Sequence, residues 1–220
     1  MPAIQKKIIA EANAEARLVI TATEMLESMI NSPRATRAEA SDVANAVFDG
    51  TDALMLSGET AVGRHPVEAV RTMARIIEVA EASPQLVHPS PPPHSDVGVS
   101  RILAKAACAV ACGVRAAASV VYTITGSSVQ LVSKYRPMPV LGLTPTDPTR
   151  RRTALMWGTE AAFVPLKGRA TDLLTAAERA VTDGHWAAKG NRVVIVTGPP
   201  GGRGGTNRIM VHRIGDPIFS

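Results

Sequence analysis

The chain has 220 residues, of which 45% are hydrophobic, 3% aromatic and 20% charged, and it carries a formal net charge of +5. This composition lies outside the disordered class and supports one large domain or two modest ones, with cores built from Ala, Val, Leu, Ile and Met. Such cores favour layered α/β structure over an aromatic-rich sandwich. The basic residues are dispersed apart from Arg150, Arg151 and Arg152 and have no aromatics interleaved, so nucleic acid is not an expected partner. No run reaches the about 20 apolar residues that span a bilayer, and no signal-peptide pattern opens the chain. The expectation is a cytoplasmic protein with no membrane partner.

In chain order, residues 3–15 repeat apolar positions at helical spacing, and LVITAT then reads as a short buried parallel strand. Residues 24–30 look helical. In SPRATRAEASDVANAVFDG, start signals precede an amphipathic helix over about 37–48, and Gly50 is a stop. TDALMLS (51–57) is the next strand, and Pro66 fits the first turn of a helix running to about Ala82. Strand and helix alternate, which implies parallel strands with right-handed crossovers. SPQLVHPSPPPHSD then breaks the pattern with five prolines and marks a linker.

The second half opens with an Ala-rich helix from Val97 to about Ala117. Strands follow at 119–125, 139–144, 160–166, 192–198 and 208–214, with helices through Tyr135, near 148–156 and from about Ala170 to Ala187. Cys108 and Cys112 share one face of the first of these helices. No further Cys/His group accompanies them, so they read as two buried structural thiols.

Three strand ends carry polar or glycine-rich turns, and in α/β sheets ligands bind at the carboxyl ends of strands. They are VITATE, MLSGET (with Ser57, Glu59 and Thr60) and TITGSS (123–128). GPPGGRGGTN (198–207) is glycine-rich but has no Lys after the glycines and precedes a strand. A phosphate cradle and a hairpin-like connection are both consistent with it.

The run IQKKII…VITATEMLESMI…PRATRAEASDVANAVFDGTDALMLSGETAVGRHPVEAV, from residue 3 to about 75, is very similar to the segment that forms the last part of the barrel in pyruvate kinases. SVVYTITGSS, KYRPMPVLGLT, GNRVVIVTG and GGTNRIMVHRIG match the family in order, more loosely. The resemblance implies an α/β chain made of the last βα units of a TIM-type barrel (1–83), a Pro-rich linker (84–96) and a separate αβα sheet domain (97–220). It implies phosphoryl transfer from phosphoenolpyruvate to ADP, giving pyruvate and ATP, with Mg²⁺ and K⁺ as cofactors, and a homo-oligomer that in the family is a tetramer.

Carried over residue by residue, Thr23 takes the place of the substrate-contacting threonine, and Ser57 that of a serine in the polar network behind the catalytic site. Thr123, Thr125, Gly126, Ser127 and Ser128 take the place of an effector loop for a sugar phosphate, with Arg203 and Gly204 in the facing loop. Ile124 and Ser127 stand where a basic side chain is often found, and Arg203 is the compensating candidate. Arg34, Arg37 and Glu39 read as structural or subunit-facing. The family's metal-binding acidic pair, catalytic lysine and monovalent-ion residues match positions before MPAIQKK, so no metal ligand is assigned and the chain is expected to be a truncated piece. Two expectations follow: part of a phosphotransferase, inactive alone, or a stand-alone phosphometabolite-binding module or complementing subunit of a split enzyme. Residues 1–83 are expected to be poorly stable alone, and 97–220 to fold independently.

Overall fold

In the first unit, α1 (Pro2–Ala14) leads to β1 (Ile20–Ala22), a 3-10 turn (Glu27–Ile30), α2 (Arg37–Asp49), β2 (Ala53–Met55), the single turn α3 (Gly58–Ala61) and α4 (Pro66–Glu81). The computed structural model describes residues 2–83, 98–136, 138–165, 170–198 and 206–218. The Pro-rich stretch 84–96, Arg203 and Gly204 lie outside them. The chain divides into two units, Met1–Pro89 and Ser90–Ser220.

β1 and β2 pair in parallel, with Ile20 opposite Ala53 and Ala22 opposite Met55. Thr36 and Glu39 form a capping box at the start of α2, and Gly50 ends that helix in the left-handed region at φ 100°. Glu39 does more than cap. Its carboxylate also accepts the Ser28 N–H at 2.6 Å and the Ser28 hydroxyl at 2.6 Å, tying the 3-10 turn to α2. Residues 24–26, expected to be helical, lie outside that turn, because Glu24 adopts φ 54°.

Met25, Leu26, Met29, Val43, Ala69 and Met73 form the core of this unit, under Leu54 and Leu56. Around it Ile4, Ile8, Ile20, Met55, Val62, Val67, Val70 and Val79 remain exposed. Two parallel strands cannot shield that much apolar surface, and both outer edges of the pair lack a partner strand among the described residues.

The second unit contains α5 (Val99–Gly113), β3 (Ala118–Tyr122), α6 (Ser127–Ser133), β4 (Val140–Thr144), α7 (Asp147–Thr153), β5 (Thr159–Phe163), α8 (Ala170–Asp183), β6 (Arg192–Thr197) and β7 (Arg208–Arg213). The sheet order is β5-β4-β3-β6-β7, with β7 alone antiparallel. β3, β4 and β6 are buried on both faces and read as continuous apolar runs, the pattern of a covered parallel sheet. Gly142 lets α6 pack closely on β4, since an added Cβ would sit 3.1 Å from the Val129 side chain, which would have to give way.

Of the two cysteines expected to be buried, Cys108 is buried against α6 and burial pushes its thiol up to about 12, whereas Cys112 is exposed. The expectation fails for Cys112 because α5 has a solvent face, and the four-residue spacing does not carry Cys112 under a neighbouring element.

Limited proteolysis of the full chain is expected to cut within residues 1–83 before it cuts within β3 to β6, since exposed apolar surface and a two-stranded sheet lower the cost of local opening. Earlier cleavage in the second unit would reverse this order.

Candidate functional site

The carboxyl ends of β1 and β2 lie side by side, so Thr23 and Ser57 follow adjacent parallel strands. Thr23 is exposed with its backbone at φ 71°, and Glu24 follows at φ 54°. Two successive non-glycine residues in the left-handed region, one of them β-branched, hold strain of about 1–3 kcal/mol each. Backbone strain of this kind gathers at ligand sites. The Thr23 hydroxyl donates to the Ala22 carbonyl at 2.6 Å.

Behind these residues Glu59 is buried, at 1% exposure. It accepts the Leu26 N–H at 3.0 Å from the β1 side and the Ser57 N–H at 2.7 Å from the β2 side. Burial alone would raise its pKa, but the N–H donors of Leu26, Ser57 and Glu59 itself outweigh burial and hold the carboxyl below its ordinary value. Ser57 is thereby fixed through its backbone, with its carbonyl receiving the Thr60 and Ala61 N–H groups at 3.2 and 2.9 Å.

In the second unit, β3 continues to β4 on one side of the sheet while β6 lies on the other, so the carboxyl ends of β3 and β6 flank the point where strand order reverses. The loop after β3 holds every expected hydroxyl. Thr123 is buried and its hydroxyl accepts the Gly126 N–H at 2.8 Å. Thr125 and Ser127 share a hydrogen bond at 3.0 Å. Thr206, the described residue that leads into β7, donates to Ser128 at 2.7 Å.

Gly126 sits at φ 92°, where only glycine rests without strain. The structure adds one residue that no motif singled out. The Thr149 hydroxyl of α7 donates to the Ile124 carbonyl at 2.8 Å and holds the loop from behind.

Among the described residues no three His, Cys, Asp or Glu side chains gather where they could hold a metal ion, so nothing here is assigned to Mg²⁺ or K⁺. The only lysines of the first unit, Lys6 and Lys7, lie on α1. Lys6 pairs with Asp49 at the end of α2, at the amino side of β2 and away from Thr23 and Ser57. Among the described residues no helix is long and apolar enough to cross a membrane.

A barrel-type βαβ segment joined to a mixed sheet domain, each with its candidate ligand groups at strand carboxyl ends, defines a two-part α/β protein. A sequence model of the pyruvate kinase barrel domain matches residues 1–70, and one of the pyruvate kinase alpha/beta domain matches residues 101–212. A pyruvate kinase of Mycobacterium tuberculosis is 43% identical over 98% of this chain and 46% of its own length. The corresponding values are 40%, 96% and 45% for one of Clostridium acetobutylicum, and 41%, 98% and 38% for one of Geobacillus stearothermophilus. The chain belongs to the pyruvate kinase family and spans less than half the length of these relatives.

Glu59 and Glu39 both have folded-state pKa values below those of the unfolded chain. In Glu39, as in Glu59, burial raises the pKa, and hydrogen bonds from Ser28 and Thr36 more than reverse it. Their stabilisation is therefore in force above the ordinary carboxylate range and is lost as pH falls through the folded values. A pH series of thermal melts should show the first unit losing stability below pH ~4. Glu59→Gln should lower its melting temperature at neutral pH and flatten that acid dependence. In the second unit, Gly126→Ala should cost about 1–2 kcal/mol from backbone strain alone, because the added methyl meets Thr149 Cγ2 at an ordinary 3.6 Å.

Proposed function

We propose that this chain supplies part of a phosphotransferase that moves the phosphoryl group of phosphoenolpyruvate to ADP, giving pyruvate and ATP, and that it does not turn over alone. The observation that carries this reading is the strained Thr23–Glu24 pair beside Ser57, held from behind by Glu59. In this reading Thr23 presents its hydroxyl to the substrate, and Ser57 belongs to the polar network beneath it. Phosphoryl transfer depends on positioning and on cations that neutralise developing charge. The described residues around Thr23 offer neither a lysine nor a metal-binding cluster. Mg²⁺ and K⁺, on this reading, are held by residues other than those described, and the assembled protein acts in the cytoplasm as a homo-oligomer.

Thr123, Thr125, Gly126, Ser127 and Ser128 we assign to a phosphorylated effector, in the manner of a sugar phosphate, together with Arg203 and Gly204, which lie outside the described residues. Hydroxyls suit this task because each can turn to donate when an anion arrives. The Thr206–Ser128 hydrogen bond favours a second reading, a phosphometabolite-binding module, since it forms within the second unit by itself.

A lactate-dehydrogenase-coupled assay with phosphoenolpyruvate, ADP, Mg²⁺ and K⁺ should register no turnover by the chain alone, and measurable turnover would overthrow this part of the proposal. Calorimetric titration with sugar phosphates and nucleotides should give heat with at least one, and Ser128→Ala should weaken it. Silence with the whole set removes the effector assignment and the module reading together.

A further inference from the structure

β3 and β4 are parallel neighbours in the sheet, so their carboxyl ends lie side by side. α7 begins at Asp147, just past the end of β4 at Thr144, and this sets it against the loop that follows β3. Thr149, Thr153 and Met156 recur at helical spacing, and all three are buried. A Cβ added to Gly126 would lie 3.6 Å from Thr149 Cγ2 and 3.7 Å from both Thr153 Cγ2 and Met156 Cε. The turn at Gly126 therefore rests on these three side chains. Thr149 meets the loop with both branches of its side chain. Its methyl supports Gly126, and its hydroxyl donates to the Ile124 carbonyl at 2.8 Å.

The two contacts have different consequences. None of the described peptides is cis, and in a planar trans peptide the carbonyl and the N–H point in opposite directions. With the Ile124 carbonyl drawn toward α7, the N–H of Thr125 in the same peptide faces away from α7. That is the solvent side of the loop. Thr125 and Ser127 are exposed and share their hydrogen bond there, whereas Thr123, Gly126 and Thr149 are buried. The inward-facing Gly126 N–H is taken by the Thr123 hydroxyl. Among the described residues nothing takes the Thr125 N–H.

We infer that Thr149 is a positioning residue of the effector site: by fixing the Ile124 carbonyl it aims the Thr125 N–H at a phosphoryl oxygen lodged beside the Thr125 and Ser127 hydroxyls. This rests on the assignment of the loop to a phosphorylated effector. An N–H donating to an anionic oxygen makes a short, charge-assisted hydrogen bond. Without the Thr149 hydroxyl the Ile124–Thr125 peptide is free to turn over. It then presents a carbonyl oxygen to the anion, and like partial charges repel.

Two variants separate aim from packing. Thr149→Val keeps a methyl under Gly126 and removes the donor, whereas Thr149→Ser keeps the donor and removes the methyl. The full chain and each variant are titrated with glucose 6-phosphate and with AMP, followed by calorimetry and by NMR of the amide groups. The Thr125 amide proton of the unaltered chain should move downfield at saturation. Thr149→Ser should bind as the unaltered chain does. Thr149→Val should bind about tenfold more weakly or worse, the step expected for one hydrogen bond to a charged group, and should lose the Thr125 shift. A side chain that only packs would give the reverse order.

Equal binding by all three proteins, or binding lost in Thr149→Ser and kept in Thr149→Val, would overturn the inference and leave the effector assignment standing. So would a Thr125 amide that stays in place when the unaltered chain is saturated. Should Thr149→Val fail to fold, that amide decides. If the unaltered chain binds neither compound, the effector assignment falls and this inference with it.

Discussion

The first unit is organised around a carboxylate kept ionised out of water. Burying a charge is tolerable only when hydrogen bonds replace its hydration. Glu59 obtains those bonds from backbone N–H groups on two separate segments, Leu26 after β1 and Ser57 after β2. Neither segment can shift without stripping a donor from the charge. The strained backbone at Thr23 and Glu24 lies between β1 and the Leu26 anchor, so the same interaction that fixes the strand ends also holds the strain in place. Glu39 repeats the device one layer out, where it joins the 3-10 turn to the start of α2.

The second unit reaches a fixed strand-end loop by neutral means. Thr123, Thr149 and Thr206 each hold the loop after β3 from a different element: β3 itself, α7 and the start of β7. Hydroxyls differ from a carboxylate in a way that matters for function. Glu59 can only accept, and its acceptors face N–H groups already in place. Thr125, Ser127 and Ser128 bond to other hydroxyls, and such pairs can reverse or part to donate outward. The first unit's polar network is built to stay as it is, and the second unit's loop is built of groups that can re-form around an anion.

How much of this was legible in the sequence depends on the distance over which each feature is decided. The Thr36–Glu39 capping box, the stop at Gly50 and Pro66 in a first helical turn are local, and the structure has each where the sequence places it. The strands of the second half are also close to expectation, because doubly covered strands are written as apolar runs. β1 and β2 are shorter than their apolar runs, since among the described residues each has only the other to pair with. α5 ends at Gly113 rather than near Ala117, because Arg115 turns into the left-handed region at φ 52° and redirects the chain into β3. The partners of Glu59 were not legible, as its Leu26 donor lies 33 residues away and belongs to the backbone. Thr149 was invisible for a related reason. Its bond to Ile124 joins two elements that sequence order alone does not place together.

Strand order, which no local pattern encodes, also decides the character of the two sheet edges. β7 reaches its edge by reversing direction after β6, and it is anchored there twice. His212 points inward to Glu178 of α8 at 3.4 Å, and the other oxygen of Glu178 takes the Gly215 N–H. Its two ends carry Arg208 and Arg213, one on each face of the strand, charges that repel a like edge. β5 has a single charge, Glu160, and among the described residues pairs only with β4. A lone acidic residue opposes pairing of an edge with a second copy of itself, as a lysine does, so one edge is guarded by anchoring and the other by charge.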